Sequence, residues 1–100
     1  YLGFYAATKA ALQALTKVMA IEWGPHNIRV NALAPGSYHS DLFDSAAANP
    51  GYEEGSINAT VQKRIAETEE IISPILYLAS DMSAYTTGHT LVSDGGYMLL

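Results

Sequence analysis

The strongest constraint on the fold is a short run from Ile28 to Ala34 that is mostly apolar and rich in β-branched residues. Pro35-Gly36 follows it and should interrupt regular structure. Apolar side chains on both faces are typical of a strand in a parallel sheet that helices cover on both sides. The run therefore predicts a buried strand in an α/β fold.

The segment before this strand predicts a long helix from Phe4 to Trp23. Its apolar residues recur at spacings of three and four, and its alanines add helix propensity. Gly24-Pro25 should end the helix, because glycine suits a helix terminus and proline cannot continue the hydrogen-bond ladder. More than one stripe of this helix is apolar, so we expect it to bury a second face.

Residues 37–55 are rich in small and polar residues and show no lasting period. They predict a long loop with room for one short helix. Beyond the loop, Ser56 could cap a helix in which Ile57, Val61 and Ile65 line one face.

A further helix should start at Thr68 and run to about Ser80, with Pro74 bending it or moving its true start later. A final strand is predicted over 90–93, and Asp94-Gly95-Gly96 closes it. This order of elements is one side of a doubly wound α/β sheet. Two strands cannot form such a sheet alone, so we expect the remaining strands upstream, in a longer polypeptide.

Composition excludes several classes of function. The net charge is −5 and the five Lys and Arg residues are dispersed, which argues against a nucleic-acid partner. No cysteine is present, and His26, His39 and His89 lack metal-ligand spacing, so no metal site is predicted. No run approaches the roughly 18 apolar residues of a membrane span. A cytoplasmic location is the default expectation.

Tyr5 and Lys9 stand four apart on the first predicted helix, so their side chains share a face. A free phenol, with a pKa of about 10, is a poor base at neutral pH, but an adjacent ammonium favours the phenolate. The pair could therefore exchange a proton with a substrate. Taken alone, it is also compatible with a packed tyrosine and a solvated lysine. The neighbouring carboxylates Glu53-Glu54 and Glu69-Glu70 are predicted to be solvated surface.

Four runs in order span nearly the whole chain: Tyr5 to Leu12 (YAATKAAL), Ile28 to Gly36 (IRVNALAPG), Thr87-Gly88 and Asp94-Gly95-Gly96. Together they resemble successive signatures of the short-chain dehydrogenase/reductase family. The resemblance implies that residues 1–100 are the C-terminal part of a single Rossmann-like NAD(P)-binding domain. The glycine-rich N-terminal half of that domain would be absent.

The resemblance also implies roles for individual residues. Tyr5 matches the general acid/base of the family, and Lys9 matches the lysine that assists it and binds the nicotinamide ribose. The turn and segment after the strand would contact the cofactor through four residues: Pro35, Gly36, Tyr38 and Ser40. As an alternative, Ser40 with Asp41 caps a helix turn.

The 37–55 loop would then be the lid over the substrate, where sequence varies with substrate. Its candidate substrate contacts are the larger side chains of the loop: Tyr38, His39, Leu42, Phe43 and Tyr52. The alternative for each of them is that it only packs the lid.

The implied activity is NAD- or NADP-dependent hydride transfer that interconverts a carbonyl and a secondary alcohol. The substrate would be a small molecule, and the assembly a homodimer or homotetramer. We expect the 100-residue chain alone to be inactive. A non-catalytic dinucleotide-binding or scaffold protein of the same fold is the alternative, against which intact Tyr5 and Lys9 argue.

Overall fold

The computed structural model describes residues 2–100. Its helices and strands follow in the order α1 (Leu2–Trp23), β1 (Ala32–Pro35), α2 (Asp41–Ala47), α3 (Tyr52–Asn58), α4 (Ile72–Ala79) and β2 (Thr90–Ser93). Short 3₁₀ turns lie at Gly24–His26, Thr68–Ile71, Asp81–Ser83 and Tyr97–Leu99. The predicted α/β fold is confirmed.

β1 and β2 are neighbours in a two-stranded sheet. The amide of Ala32 donates to the carbonyl of His89, and that of Gly36 to the carbonyl of Ser93, both at 2.9 Å. The pairing advances by four residues in the same direction on each strand, which is parallel register. The chain forms two compact units, residues 2–33 with 76–91 and residues 34–75 with 92–100.

In the first unit, α1 confirms the predicted long helix. It gives way to a 3₁₀ turn at Gly24–His26, and Asn27 then adopts a left-handed backbone with φ 59°. Within α1, Thr16 and Ala20 are buried, while many of its large apolar side chains are exposed. The helix therefore presents much of its apolar surface outside the contacts of this unit.

The first strand is shorter than predicted, because Ile28–Asn31 lie outside it. Side chains supply part of the hydrogen bonding there: the Val30 carbonyl accepts from the Gly88 amide at 2.7 Å, but the Val30 amide donates to Thr87 Oγ1 at 3.1 Å. The Asn31 amide group donates to the Thr86 carbonyl at 2.9 Å and accepts from the His89 amide at 3.1 Å. The prediction of β2 over 90–93 is confirmed.

Arg29 joins the chain after α1 to the end of α4 and its following turn. Its Nη1 donates to Ser83 Oγ at 2.6 Å and to the Thr86 carbonyl at 3.2 Å. Its Nη2 donates to the carbonyls of Leu78 at 3.2 Å and Ser80 at 3.0 Å. The last carbonyls of a helix lack intrahelical donors, and this guanidinium donates to that of Leu78 near the end of α4.

In the second unit, the predicted loop contains two helices, α2 and α3, rather than one. The prediction of a helix capped by Ser56 is wrong. Ser56 lies inside α3, where its hydroxyl donates to the Tyr52 carbonyl at 2.9 Å. The chain beyond Asn58 turns irregularly, and Lys63 adopts φ 53°, which is incompatible with a continuous helix.

The α-helix predicted from Thr68 begins later than that residue, which is one of the two effects predicted for Pro74. Residues Thr68–Ile71 are 3₁₀, and α4 begins at Ile72. Pro74 is the third residue of α4, where the missing N–H has no intrahelical partner to lose. A capping box formed by Glu67 and Glu70 stabilises the start of the 3₁₀ turn.

Two glycines of this unit lie where a side chain has no room. A Cβ on Gly36 would come within 2.6 Å of Asp94 Cα. Gly96 has φ 85°, and a Cβ there would lie 2.7 Å from Val61 Cβ. The backbone after each strand therefore packs closer than any residue other than glycine permits.

Candidate functional site

Tyr5 and Lys9 come together on α1, as their spacing predicts. Lys9 Nζ lies 5.4 Å from the centroid of the Tyr5 ring, within the range of a cation–π contact. The Tyr5 side chain is 61% exposed, so its hydroxyl is open to a reactant in this unit. An exposed phenol beside an ammonium can take part in proton transfer.

The segment Ser37–Ser40 follows β1 and is tied to β2 on one side. Gly36 bonds the Ser93 carbonyl through its amide, and the Tyr38 hydroxyl lies 2.7 Å from Ser93 Oγ and 3.2 Å from its carbonyl. The Tyr38 side chain is half-buried by this arrangement. Its phenol therefore has a structural partner already.

On its other side, the same segment pairs with Ala66. The His39 amide donates to the Ala66 carbonyl at 2.9 Å, and the Ala66 amide donates to the Ser37 carbonyl at 3.2 Å, forming a parallel bridge at Tyr38. Thr68 Oγ1 donates to the His39 carbonyl at 2.7 Å. Three hydrogen bonds thus fix the backbone from Ser37 to His39.

The segment lines a cavity of about 300 Å³. Its walls are Pro35, Gly36, Tyr38, His39, Ser40, Thr68 and Ile71. Five of these residues were candidate site residues from the sequence. Thr68 and Ile71 were not, because they come from a distant part of the chain and no local pattern links them to the segment.

Ser40 is the N-cap of α2, and its Oγ accepts from the Phe43 amide at 3.2 Å. The capping alternative from the sequence is therefore confirmed. A hydroxyl that accepts one hydrogen bond still has its own proton to donate. Capping and ligand binding are thus compatible at this residue.

His39 is paired with a carboxylate of α2. Its Nδ1 lies 3.0 Å from Asp44 Oδ1, and this hydrogen bond raises the pKa of His39 above its usual 6.5. The imidazole ring also meets the edge of Phe43, with centroids 5.7 Å apart. The imidazole of His39, whose protonated form is favoured by Asp44, therefore forms one wall of the cavity.

The other candidate substrate contacts lie elsewhere in this unit. Phe43 is buried, with the Tyr52 ring 5.7 Å from its own, so it packs α2 against α3. Tyr52 lines a separate cavity of about 480 Å³ that includes Gly51 and Tyr97. Leu42 is 83% exposed.

A third, polar cavity of about 400 Å³ is lined by a charged pair that the sequence did not reveal. Arg64 Nη1 and Nη2 each donate to one oxygen of Glu70 at 2.7 Å. Glu70 Oε2 also accepts from the Glu67 amide at 2.7 Å. The Arg64 hydrogen bond, followed by that from Glu67, lowers the pKa of Glu70 to about 2.

Glu69 and Glu70 are both exposed, as predicted, but the sequence prediction missed the hydrogen bonds that hold Glu70. An acidic residue three positions after a helix N-cap is the available sequence signal, because such a side chain reaches back to the cap amide. Its pairing with Arg64, six residues away and outside any helix, has no periodic signature.

Within residues 2–100, no three His, Cys, Asp or Glu side chains are grouped as a metal site would need. No helix in the same part of the chain is long and apolar enough to cross a membrane.

Comparison with known proteins shows the family. The family model described as enoyl-(acyl carrier protein) reductase matches residues 1–98. Relatives of the chain carry dehydrogenase and reductase names. Among them, a short chain dehydrogenase/reductase from Aspergillus oryzae is 41% identical to this chain. The chain belongs to the short-chain dehydrogenase/reductase family.

Two further relatives of this family show the extent of the similarity. L-xylulose reductase of Bos taurus is 43% identical over 94 residues, which cover 94% of this chain and 38% of the relative. A-factor type γ-butyrolactone 1′-reductase of Streptomyces virginiae is 45% identical over 97 residues, 96% of this chain and 38% of the relative. The chain thus spans about two fifths of the length of these relatives.

Solved structures of family members share the fold. 4-Hydroxyisoleucine dehydrogenase complexed with NADH matches with a TM-score of 0.90 and 35% identity, over 96% of this chain and 40% of the other. Gluconate 5-dehydrogenase from Burkholderia cenocepacia, in complex with NADP and tartrate, matches with a TM-score of 0.90 and 32% identity, over 96% and 38%. The elements described above therefore belong to a Rossmann-like α/β fold.

Proposed function

We propose that the protein is a nicotinamide-dependent oxidoreductase that interconverts a carbonyl and a secondary alcohol. The observation that carries the proposal is the pairing of Tyr5 and Lys9 on one face of α1, with the ammonium 5.4 Å from the ring centroid. Membership of the family, matched over residues 1–98, supports it. The chain would be the C-terminal part of one NAD(P)-binding domain.

In this proposal, Tyr5 exchanges the proton of the substrate oxygen. During reduction its hydroxyl donates a proton to the carbonyl oxygen, and during oxidation its phenolate takes the proton back. Lys9 stabilises the phenolate electrostatically and binds the nicotinamide ribose. The nicotinamide, when bound, supplies or accepts the hydride.

Pro35, Gly36, Tyr38 and Ser40 are the proposed contacts to the NAD or NADP cofactor. They line one cavity at the carboxyl end of β1, the end of a strand where ligands bind in open α/β sheets. The spare proton of the Ser40 hydroxyl suits an amide oxygen such as that of a carboxamide. The residues present therefore fit a nicotinamide.

For the substrate, we propose His39 as a direct contact, since its ring lines the same cavity. Phe43 and Tyr52 are proposed to shape the lid by packing against each other. Relatives named L-xylulose reductase and D-erythrulose reductase make small ketoses the first substrates to screen. The exposed apolar side chains of α1 favour a homodimer or homotetramer.

Substituting Tyr5→Phe in the intact protein tests the function. We expect turnover to fall by about a hundredfold or more, with cofactor affinity retained, because only the exchangeable proton is removed. Steady-state kinetics and a cofactor titration measure the two quantities.

Tyr85→Phe is the matched control, because this side chain is fully exposed and makes no hydrogen bond within residues 2–100. Its turnover should equal that of the unmodified protein. Full turnover in the Tyr5→Phe variant would contradict the role proposed for Tyr5, whereas no turnover in the unmodified protein would favour the non-catalytic binding or scaffold protein.

A further inference from the structure

Two of the residues that position the cavity segment Ser37–Ser40 are Ala66 and Thr68. Neither of them bonds Glu70, but both adjoin Glu67, whose amide does. The backbone of Ala66 and the hydroxyl of Thr68 hold Ser37 and His39 through three hydrogen bonds. Both residues belong to 64–68, in which residues 64–67 lie outside any helix or strand and Thr68 begins a 3₁₀ turn. Burial of Ile65 anchors this stretch at one point, and side-chain hydrogen bonds must fix the rest of its backbone.

Glu70 supplies that constraint at two points. Its carboxylate accepts two hydrogen bonds from Arg64, at the start of the stretch, and one from the Glu67 amide, near its end. Ala66 lies between these two attachment points. The Glu70 side chain thus closes a short loop around Ala66, the residue whose backbone pairs with the cavity segment.

We propose that Glu70 is a positioning residue for the cofactor cavity. Its carboxylate fixes residues 64–68, and they in turn hold the backbone of Ser37–His39 through Ala66 and Thr68. The effect on cofactor binding rests on the proposed function, whereas the effect on the backbone does not.

The geometry requires a carboxylate rather than any polar group. A bidentate guanidinium–carboxylate pair needs two acceptor oxygens, and here one of those oxygens also accepts the Glu67 amide. A glutamine offers one oxygen and places an amide donor against another donor. Glu70→Gln therefore breaks the constraint with almost no change of size.

The test compares Glu70→Gln with Glu69→Gln in the intact protein. The Glu69 side chain makes no hydrogen bond or ion pair within residues 2–100, and both substitutions remove one negative charge. Amide hydrogen exchange at His39 and Ala66 reports the backbone directly. We expect about fivefold faster exchange in Glu70→Gln, the loss typical of a part-exposed ion pair, and no change in Glu69→Gln.

Steady-state kinetics give the functional readout. Glu70→Gln should raise KM for the nicotinamide cofactor about fivefold and leave kcat nearly unchanged, because the cavity wall moves while Tyr5 and Lys9 stay intact. Thr68→Val, which removes the bond to the His39 carbonyl, should raise KM without speeding exchange at the Ala66 amide.

Unchanged exchange at both amides in Glu70→Gln would overturn the proposal. If that variant does not fold, Arg64→Lys takes its place, since it keeps both charges and loses one of the two hydrogen bonds; exchange equal to the unmodified protein would again overturn the proposal. If the unmodified protein turns over no substrate, the proposed function fails, and the exchange data still decide the positioning role.

Discussion

Arg29 in the first unit and Arg64 in the second each connect parts of the chain that helix or strand hydrogen bonds do not connect. The two arginines donate to different kinds of acceptor. Arg29 is half-buried and donates to four neutral oxygens, three of them backbone carbonyls. Arg64 is about half-exposed and donates to one carboxylate. Neutral acceptors stay in place at any pH, whereas a carboxylate can be protonated and an exposed pair is screened by salt.

Removing the Arg29 side chain should have the largest effect on stability. Arg29→Met leaves the carbonyls of Leu78, Ser80 and Thr86 without this donor, and we expect the free energy of unfolding to fall by about 3 kcal/mol. Urea unfolding of the intact protein measures it. The loss should be the same at low and high salt; a loss that vanishes in high salt would contradict the neutral-acceptor account.

The Arg64–Glu70 pair should respond to acid, unlike Arg29. Because the pKa of Glu70 is lowered from 4.5 to about 2, its contribution to stability is complete above about pH 4.5 and is lost as the pH falls towards 2. The difference in urea midpoint between the unmodified protein and Glu70→Gln should therefore shrink between pH 6 and pH 2.5. A constant difference would show that Glu70 does not titrate as part of this pair.

The smallest effect is expected for the pair of His39 with Asp44, which joins the first turn of α2 to the residue just before its N-cap. Asp44→Asn should lower the pKa of His39 towards 6.5, as followed by NMR of the imidazole, because the carboxylate that favours the protonated ring is gone. Since the pKa of His39 is raised in the folded protein, the pair stabilises below about pH 6.5 and its contribution is lost as the pH rises through the folded value. Asp41→Asn, one turn earlier, is the control and should leave the pKa of His39 unchanged.

Elements with a local signal could be predicted from the sequence. α1 follows from apolar spacing and alanine content, and its end follows from Gly24-Pro25. The pairing of Tyr5 with Lys9 follows from a separation of four residues in a helix. In both cases, the interacting residues lie within a few positions of each other.

What the sequence did not predict depends on contacts between distant residues. The cavity segment is fixed by Ser93 and Thr68, which lie 55 and 29 residues from their partners. Arg29 finds its acceptors 49 to 57 residues away. No periodicity relates such positions, so local pattern cannot show which distant group will satisfy a side chain. The missed pairing of Glu70 has another origin, because Arg64 is near in sequence but lies outside any helix, where helical spacing does not apply. The helix predicted at Ser56 failed because α3 ends at Asn58, ahead of a left-handed residue at Lys63.

Gly36 bears on how variation at the cavity should be interpreted. A side chain there would meet the backbone of Asp94 at 2.6 Å, so close packing alone excludes all other residues, whatever reaction the protein performs. In a saturation-mutagenesis experiment scored by folding, position 36 should tolerate nothing but glycine. Its neighbour Pro35 is exposed and should tolerate change when folding is scored, so any intolerance there that appears only when turnover is scored marks a contact with the ligand.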